Sequence, residues 1–283
     1  MPVAWREAGE GDVVVLLHGL GGSRISWEPQ LAGLSDRWRL AAWDLPGYGA
    51  SAPLPPPLRK GCGGATSGSA PEFLTQTGSK RLTFHDLADA AAAWLDALDA
   101  RNAHVVGISM GGMIAQYLAH RHPGRVRSLT LLSTSPAFGL DGTSPAEWRA
   151  ARLSPLDQGL QPADFAERVL GAIAGPHISP EAMEAQAAAM RRITADGLRR
   201  SIEVLVTHDT RPILHEIVAP TLCIVGELDD ETPATYSRYL AEHLPHAILE
   251  VVAGAGHLLN AEAPHAVNEL IRRHLTTVED HDR

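Results

Sequence analysis

Ala103-His104-Val105-Val106-Gly107-Ile108-Ser109-Met110-Gly111-Gly112-Met113-Ile114-Ala115-Gln116-Tyr117-Leu118-Ala119 is the stretch whose reading decides the fold. Its first part is a short, continuous apolar run, the pattern of a strand covered on both faces rather than on one. From Met113 onward the composition is helical, and the pattern ends before Pro123-Gly124, a pair that breaks helices and starts turns. Strand, tight turn and helix therefore follow one another around Ser109. The pentapeptide Gly107-Ile108-Ser109-Met110-Gly111 matches a turn in which a serine is held under backbone strain at the end of a strand, with small neighbours relieving the crowding. In a chain with 26 glycines the pentapeptide alone is a weak signal. Its setting between a buried strand and a helix is what makes Ser109 a candidate nucleophile.

Working outward, similar apolar runs recur at Val13 to Leu17, Leu40 to Trp43, Leu129 to Ser133, Leu222 to Val225 and Ile248 to Val252. Longer helical patterns lie between them, as parallel crossovers require. The expected class is α/β, with a mostly parallel central sheet flanked by helices. Thr83 followed by Asp86 reads as a helix cap, and Leu87, Ala91, Trp94, Leu95 and Leu98 continue at helical spacing. The core is expected over 1–135 and 213–283. Residues 136–212, Ala-rich and without a clear strand, read as an inserted lid of about four short helices. Within the first part, 53–81 holds four prolines near its start and then a Gly/Ser-rich run with little to bury, and it is expected to be a mobile insertion.

A serine hydroxyl becomes a useful nucleophile only when a base takes its proton. His257 is the candidate base, presented by Ala253-Gly254-Ala255-Gly256 just past the last strand. His18 follows the first long strand in His18-Gly19-Leu20-Gly21-Gly22, where the glycines suit a turn that aims backbone N–H groups at a developing oxyanion, and it reads as a loop brace. The base in turn needs an acid to hold its tautomer. Glu227, Asp229, Asp230 and Glu231 all follow the strand Leu222 to Val225, and spacing does not choose among them. The chain order of serine, acid and histidine is that of one serine-hydrolase architecture and not of the other common ones.

These motifs, from Val13-Val14-Val15-Leu16-Leu17-His18-Gly19 to Gly254-Ala255-Gly256-His257, resemble the α/β-hydrolase superfamily over nearly the whole chain. Asp44-Leu45-Pro46-Gly47-Tyr48-Gly49-Ala50-Ser51 is similar to its turn after the next core strand, and the insertion at 53–81 departs from its pattern. The resemblance puts Asp229 in the acid's place and implies a Ser109, His257, Asp229 triad, with the backbone N–H groups of Leu20 and Met110 binding the oxyanion. Gly107 to Gln116 is similar to the elbow of 3-oxoadipate enol-lactonases, and Trp148 and Arg149, followed by Gly159, resemble that group's lid. The implied activity is hydrolysis of a small carboxylic ester or enol-lactone, with Arg149 as a candidate clamp for a substrate carboxylate. The alternatives are a carbon–carbon bond hydrolase, a cofactor-free perhydrolase and a triad-bearing ligand receptor. A serine in the elbow sets aside dehalogenases and epoxide hydrolases, whose nucleophile is aspartate.

Composition narrows the partners. A chain of 283 residues, 45% hydrophobic, can bury a full core. A net charge of −9 with scattered arginines argues against nucleic acid or an anionic membrane, because phosphate binding needs clustered cations. The start lacks a secretory pattern and no apolar run approaches membrane-spanning length. Two cysteines, Cys62 and Cys223, give no disulfide framework, so a cytoplasmic setting is expected. Fourteen histidines show no zinc-site spacing, and neither metal nor cofactor is expected. The expected partner is a small-molecule substrate, and no signal speaks to oligomeric state.

Overall fold

The computed structural model describes residues 3–54 and 81–281. The insertion expected at 53–81 therefore lies, apart from its ends, outside the described residues. Among the described residues seven strands, β1 (Trp5–Ala8), β2 (Val13–Leu17), β3 (Arg39–Trp43), β4 (Ala103–Ile108), β5 (Val126–Leu132), β6 (Thr221–Gly226) and β7 (Ala247–Val252), form one sheet in the order β1-β3-β2-β4-β5-β6-β7. Every neighbouring pair is parallel except β1 with β3. The helices there are α1 (Glu28–Leu34), α2 (Phe84–Ala97), α3 (Met110–Arg121), α4 (Pro145–Asp157), α5 (Pro162–Ile173), α6 (Pro180–Met190), α7 (Ala195–Leu205), α8 (Ala234–His243), α9 (Leu259–Glu262) and α10 (Pro264–His281).

Both faces of the sheet are covered, which is why its strands read as continuous apolar runs. All six residues of β4 are buried. Alternate side chains go to opposite faces, as the period of two demands. Val15, Leu17, Val105 and Leu131 pack with α2 and α3, whereas Val14, Leu16, Val106 and Leu132 pack with α1 and α10. Each fully buried leucine or valine contributes roughly 1.5–3 kcal/mol before entropy is counted. The cap of α2 forms as its sequence indicates: Asp86 N–H donates to Thr83 Oγ1 at 3.2 Å and Thr83 N–H to Asp86 Oδ2 at 2.9 Å.

Two boundaries differ from the sequence reading. β1, antiparallel at the sheet edge, has no apolar signature because Trp5, Arg6 and Glu7 are exposed. β5 ends at Leu132, because Ser133 adopts φ 41°, a left-handed backbone that cannot continue a strand. From there the chain leaves the sheet, and α4–α7 intervene before it returns as β6.

The strand order reverses direction between β2 and β4, because the chain moves outward from β2 to β3 and then crosses back to β4. At such a switch point the loops at the carboxyl ends of two adjacent parallel strands diverge and leave a crevice. The loop after β2 begins at His18 and the turn after β4 holds Ser109, so both belong to that crevice.

Candidate active site

Ser109 sits at φ 53°, ψ −122° between β4 and α3. A non-glycine residue there is strained by about 1–3 kcal/mol, and close neighbours hold it in place. Its N–H donates to the Leu132 carbonyl at 2.9 Å, and its carbonyl accepts from Thr134 Oγ1 at 2.7 Å and from Met113 N–H at 3.1 Å. The two flanking glycines have steric causes. A Cβ on Gly107 would stand 2.5 Å from the Gly111 carbonyl oxygen, and one on Gly111 would run into the Leu17 carbonyl. Gly19 is less tightly constrained, since a Cβ there would meet Ser109 Cβ at 3.0 Å. Glycine at 107 and 111 is thus what lets α3 start this close to β2 and β4.

His18 is tied at both ring nitrogens. Leu45 N–H donates to Nε2 at 2.9 Å, so Nδ1 carries the proton and donates to the Gly19 carbonyl at 2.9 Å. Burial holds its pKa below the ordinary 6.5 despite that carbonyl and Asp44. With no free lone pair, it braces the loop that carries Leu20. Leu20 lines the cavity beside Ser109, and Met110 is the first residue of α3, where a backbone N–H has no partner within the helix.

Of the four carboxylates after β6, the structure brings Asp229 to His257. Glu227 N–H donates to the Val252 carbonyl at 2.9 Å and Leu228 N–H to the Ala255 carbonyl at 2.8 Å, lacing the loop after β6 to the loop after β7. Gly226 permits this, since a Cβ there would run into the Ala255 and Gly256 carbonyls. His257 Nδ1 then lies 3.0 Å from Asp229 Oδ2 and 3.1 Å from Oδ1, with both residues about 5% exposed or less. The remaining lone pairs of Asp229 accept from Glu231 N–H at 3.0 Å, Thr232 N–H at 2.8 Å and Thr232 Oγ1 at 2.9 Å. The part played by Thr232 is missed by sequence reasoning, because a threonine three residues after an aspartate is a common turn and carries no sign of what the aspartate faces. Glu227 instead accepts from Gly254 N–H, Glu231 pairs with Arg152, and Asp230 is exposed.

The pair is electrostatically coupled. Burial pushes the Asp229 carboxyl up, but the charge and hydrogen bond of His257 and the Thr232 N–H outweigh it and keep it below its ordinary range. Burial pushes the His257 imidazole down, and the charge and hydrogen bond of Asp229, with Glu231 and Glu262 beyond, raise it above 6.5. A neutral imidazole donating from Nδ1 to Asp229 leaves Nε2 as its proton acceptor. Ser109 and His257 both line a cavity of about 550 Å³, to which α4–α7 and the loops after β2, β5 and β6 contribute the other walls.

The lid arginine expected to face that cavity does not. Arg149 is 3.3 Å from Glu203 on α7, a carboxylate that also takes Arg81, and lies outside the cavity wall. Trp148 and Arg152, about one turn apart on the same side of α4, line the cavity instead, with the Arg152 guanidinium 5.0 Å from the Trp148 ring centre. Arg168 on α5 also lines it and has no ion pair among the described residues.

Asp12, His104 and Glu279 are the one group among the described residues whose ligand-type atoms could converge on a metal, all within 4.8 Å of one another. Arg127 already pairs with Asp12, and Glu279 accepts from Trp38 and Arg37. These guanidinium charges oppose a cation. Among the described residues no helix is long and apolar enough to cross a membrane.

Residues 12–264 match the family model described as the alpha/beta hydrolase fold. The chain is 28% identical over 261 residues to 3-oxoadipate enol-lactonase 2 of Acinetobacter baylyi, covering 91% of this chain and 86% of that protein. It is 32% identical over 253 residues to a pimeloyl-[acyl-carrier protein] methyl ester esterase of Chromobacterium violaceum, covering 88% of each. Among solved structures, a hydrolase from Pseudomonas aeruginosa is similar with a TM-score of 0.78 at 27% identity, covering 96% of this chain and 94% of that one. The seven-stranded, mostly parallel sheet and the match over most of its length agree: this chain belongs to the alpha/beta hydrolase fold family.

Proposed function

We propose that this hydrolase cleaves a small carboxylic ester or enol-lactone through an acyl-enzyme on Ser109. The observation that carries the reading is that His257, its Nδ1 3.0 Å from Asp229 Oδ2, lines the same cavity as the strained Ser109. Ser109 Oγ attacks the carbonyl carbon while His257 Nε2 takes its proton, and the N–H groups of Leu20 and Met110 bind the oxyanion. Collapse expels the alcohol or enol oxygen, which takes the proton from His257. Water then attacks the acyl-enzyme, His257 again accepting a proton, and as the acid leaves, Ser109 Oγ takes that proton from His257, restoring both groups. No cofactor enters these steps. The buried, free Cys223 thiol, pushed up to about 12 by burial, suits a cytoplasmic setting. The core at 1–135 and 213–283, with 136–212 as lid, is the domain division that goes with this reading.

Relatives named as a 3-oxoadipate enol-lactonase and a methyl ester esterase support the reading, and Phe165, Val169, Leu198 and Ile202 in the cavity wall suit an apolar acyl chain. Arg168 replaces Arg149 as the cation available to a substrate carboxylate. The test is a panel of neutral aryl esters, a carboxylate-bearing enol-lactone and a meta-cleavage product. Arg168→Ala is expected to raise KM for the carboxylate-bearing substrate about tenfold and leave the neutral ester near parent values, with Arg149→Ala affecting neither selectively. Preference for the meta-cleavage product would favour carbon–carbon cleavage, and binding without turnover would favour a receptor.

The raised pKa of His257 sets the pH dependence. The base must be neutral, so activity is lost as pH falls through its folded pKa, which lies above the ordinary 6.5. The acid limb of kcat/KM is therefore expected above 6.5 rather than on the low side of a free imidazole. A limb near pH 4, or a flat profile, would remove His257 as base.

A further inference from the structure

Three consecutive backbone N–H groups at His257 are each held by a partner outside their own loop. Gly256 N–H donates to Glu262 Oε2 at 2.7 Å, His257 N–H to the Ile173 carbonyl at 3.1 Å, and Leu258 N–H to Glu262 Oε1 at 3.0 Å. One carboxylate thus grips the main chain on both sides of the histidine, one oxygen to each side, with charge-assisted bonds about twice as strong as neutral ones. The last carbonyl of α5 holds the residue between. Approach this close depends on two glycines packed backbone to backbone, since a Cβ on Gly256 would run into Gly175 nitrogen, and one on Gly175 would run into Glu262 Oε2.

We propose that Glu262 is the positioning residue for the base, its two oxygens holding the main chain at Gly256 and Leu258 so that the His257 ring stays between Asp229 and Ser109. The inference rests on the reading of His257 as base. Asp229 and Thr232 hold only the Nδ1 edge of the ring, so where Nε2 lies depends on the main chain that carries the side chain, and a displacement of about 1 Å at a reacting atom can cost on the order of 10²-fold. The carboxylates of Asp229 and Glu231, from the loop after β6, face the imidazole together with that of Glu262.

Glu262→Gln keeps the side-chain length and one acceptor oxygen, but sets an NH₂ group against the second N–H. Assayed with p-nitrophenyl acetate, its kcat is expected to fall about 10- to 100-fold, with KM changed less than about threefold. The acid limb should move to lower pH, because one of the negative charges facing His257 is gone. Glu262→Asp keeps the charge but is one methylene short, so its kcat should fall while the acid limb stays in place. A melting temperature lowered in both variants with kcat per folded molecule unchanged would make Glu262 merely structural and overturn the proposal. If Glu262→Gln does not fold, the aspartate variant decides by the same criterion. A proton NMR signal from His257 Nδ1–H bonded to Asp229, assigned by its loss in His257→Gln, needs no turnover and separates the two readings. Faster solvent exchange of that proton in the Glu262 variants supports the proposal even if esters are not substrates, and unchanged exchange overturns it.

Discussion

Ser109→Ala is expected to lower kcat for ester hydrolysis by about 10³- to 10⁶-fold while the protein folds as before. The substitution removes only Oγ. Alanine keeps the Cβ that already fits 3.0 Å from where a Gly19 Cβ would stand, and it inherits the same φ of 53°, so no new strain is added to the turn. The bonds that hold the residue, to Leu132, Thr134 and Met113, are all made by its backbone. A circular dichroism spectrum and melting temperature close to the parent's should accompany the loss. Residual rate would come from the oxyanion-binding N–H groups and from substrate binding, which do not need the hydroxyl. A fluorophosphonate reagent should add mass to the parent at Ser109 and none to the variant. Turnover retained within about tenfold, by a protein shown to lack the adduct, would end the proposal of an acyl-enzyme on Ser109.

Asp229→Asn is expected to lower kcat by about 10⁴-fold, far more than Asp230→Asn, Glu227→Gln or Glu231→Gln. Asparagine is the same size as aspartate, so the effect is one of proton placement. The Glu231 and Thr232 N–H groups donate to Asp229 Oδ1 at 3.0 and 2.8 Å, so in the variant the amide oxygen turns toward them. The amide NH₂ then faces His257 Nδ1, which must become an acceptor, and the imidazole proton moves to Nε2, where it confronts the serine hydroxyl instead of accepting from it. The three comparison residues engage other partners: Glu227 the Gly254 N–H, Glu231 the Arg152 guanidinium, and Asp230 solvent. Steady-state assays of all four variants, each with its melting temperature, would check the ranking. An Asp230→Asn variant crippled as badly as Asp229→Asn would move the acid by one residue.

What the amino-acid sequence determined by itself was the local backbone and the face each element buries. The run Ala103 to Ile108 reads as a doubly covered strand because its side chains are apolar almost without interruption, and all six residues are indeed buried. The glycines at 107 and 111 mark the sharp turn because no side chain fits beneath β2 and α3. The Thr83–Asp86 cap is likewise local, its donors and acceptors lying within one helical turn. Loops are different, because the direction of a side chain there follows from contacts made far along the chain. That Asp229, and not one of its three carboxylate neighbours, meets His257 depends on how two loops lace together across Gly226 and Ala255. Arg149 and Arg152 differ by less than one helical turn, yet only the second faces the cavity, because the rotation of α4 is set by packing against α7 and the core. Glu262 is close in sequence, four residues from Leu258 and six from Gly256, yet apolar period and motif reading do not single it out, because what marks it is the turn of chain at His257 that brings its carboxylate back to the main chain on either side. Hydrophobic period and glycine placement are short-range properties that one stretch of chain can carry alone, whereas the meeting of Asp229 and His257, 28 residues apart, is decided by the packing of loops that follow two different strands.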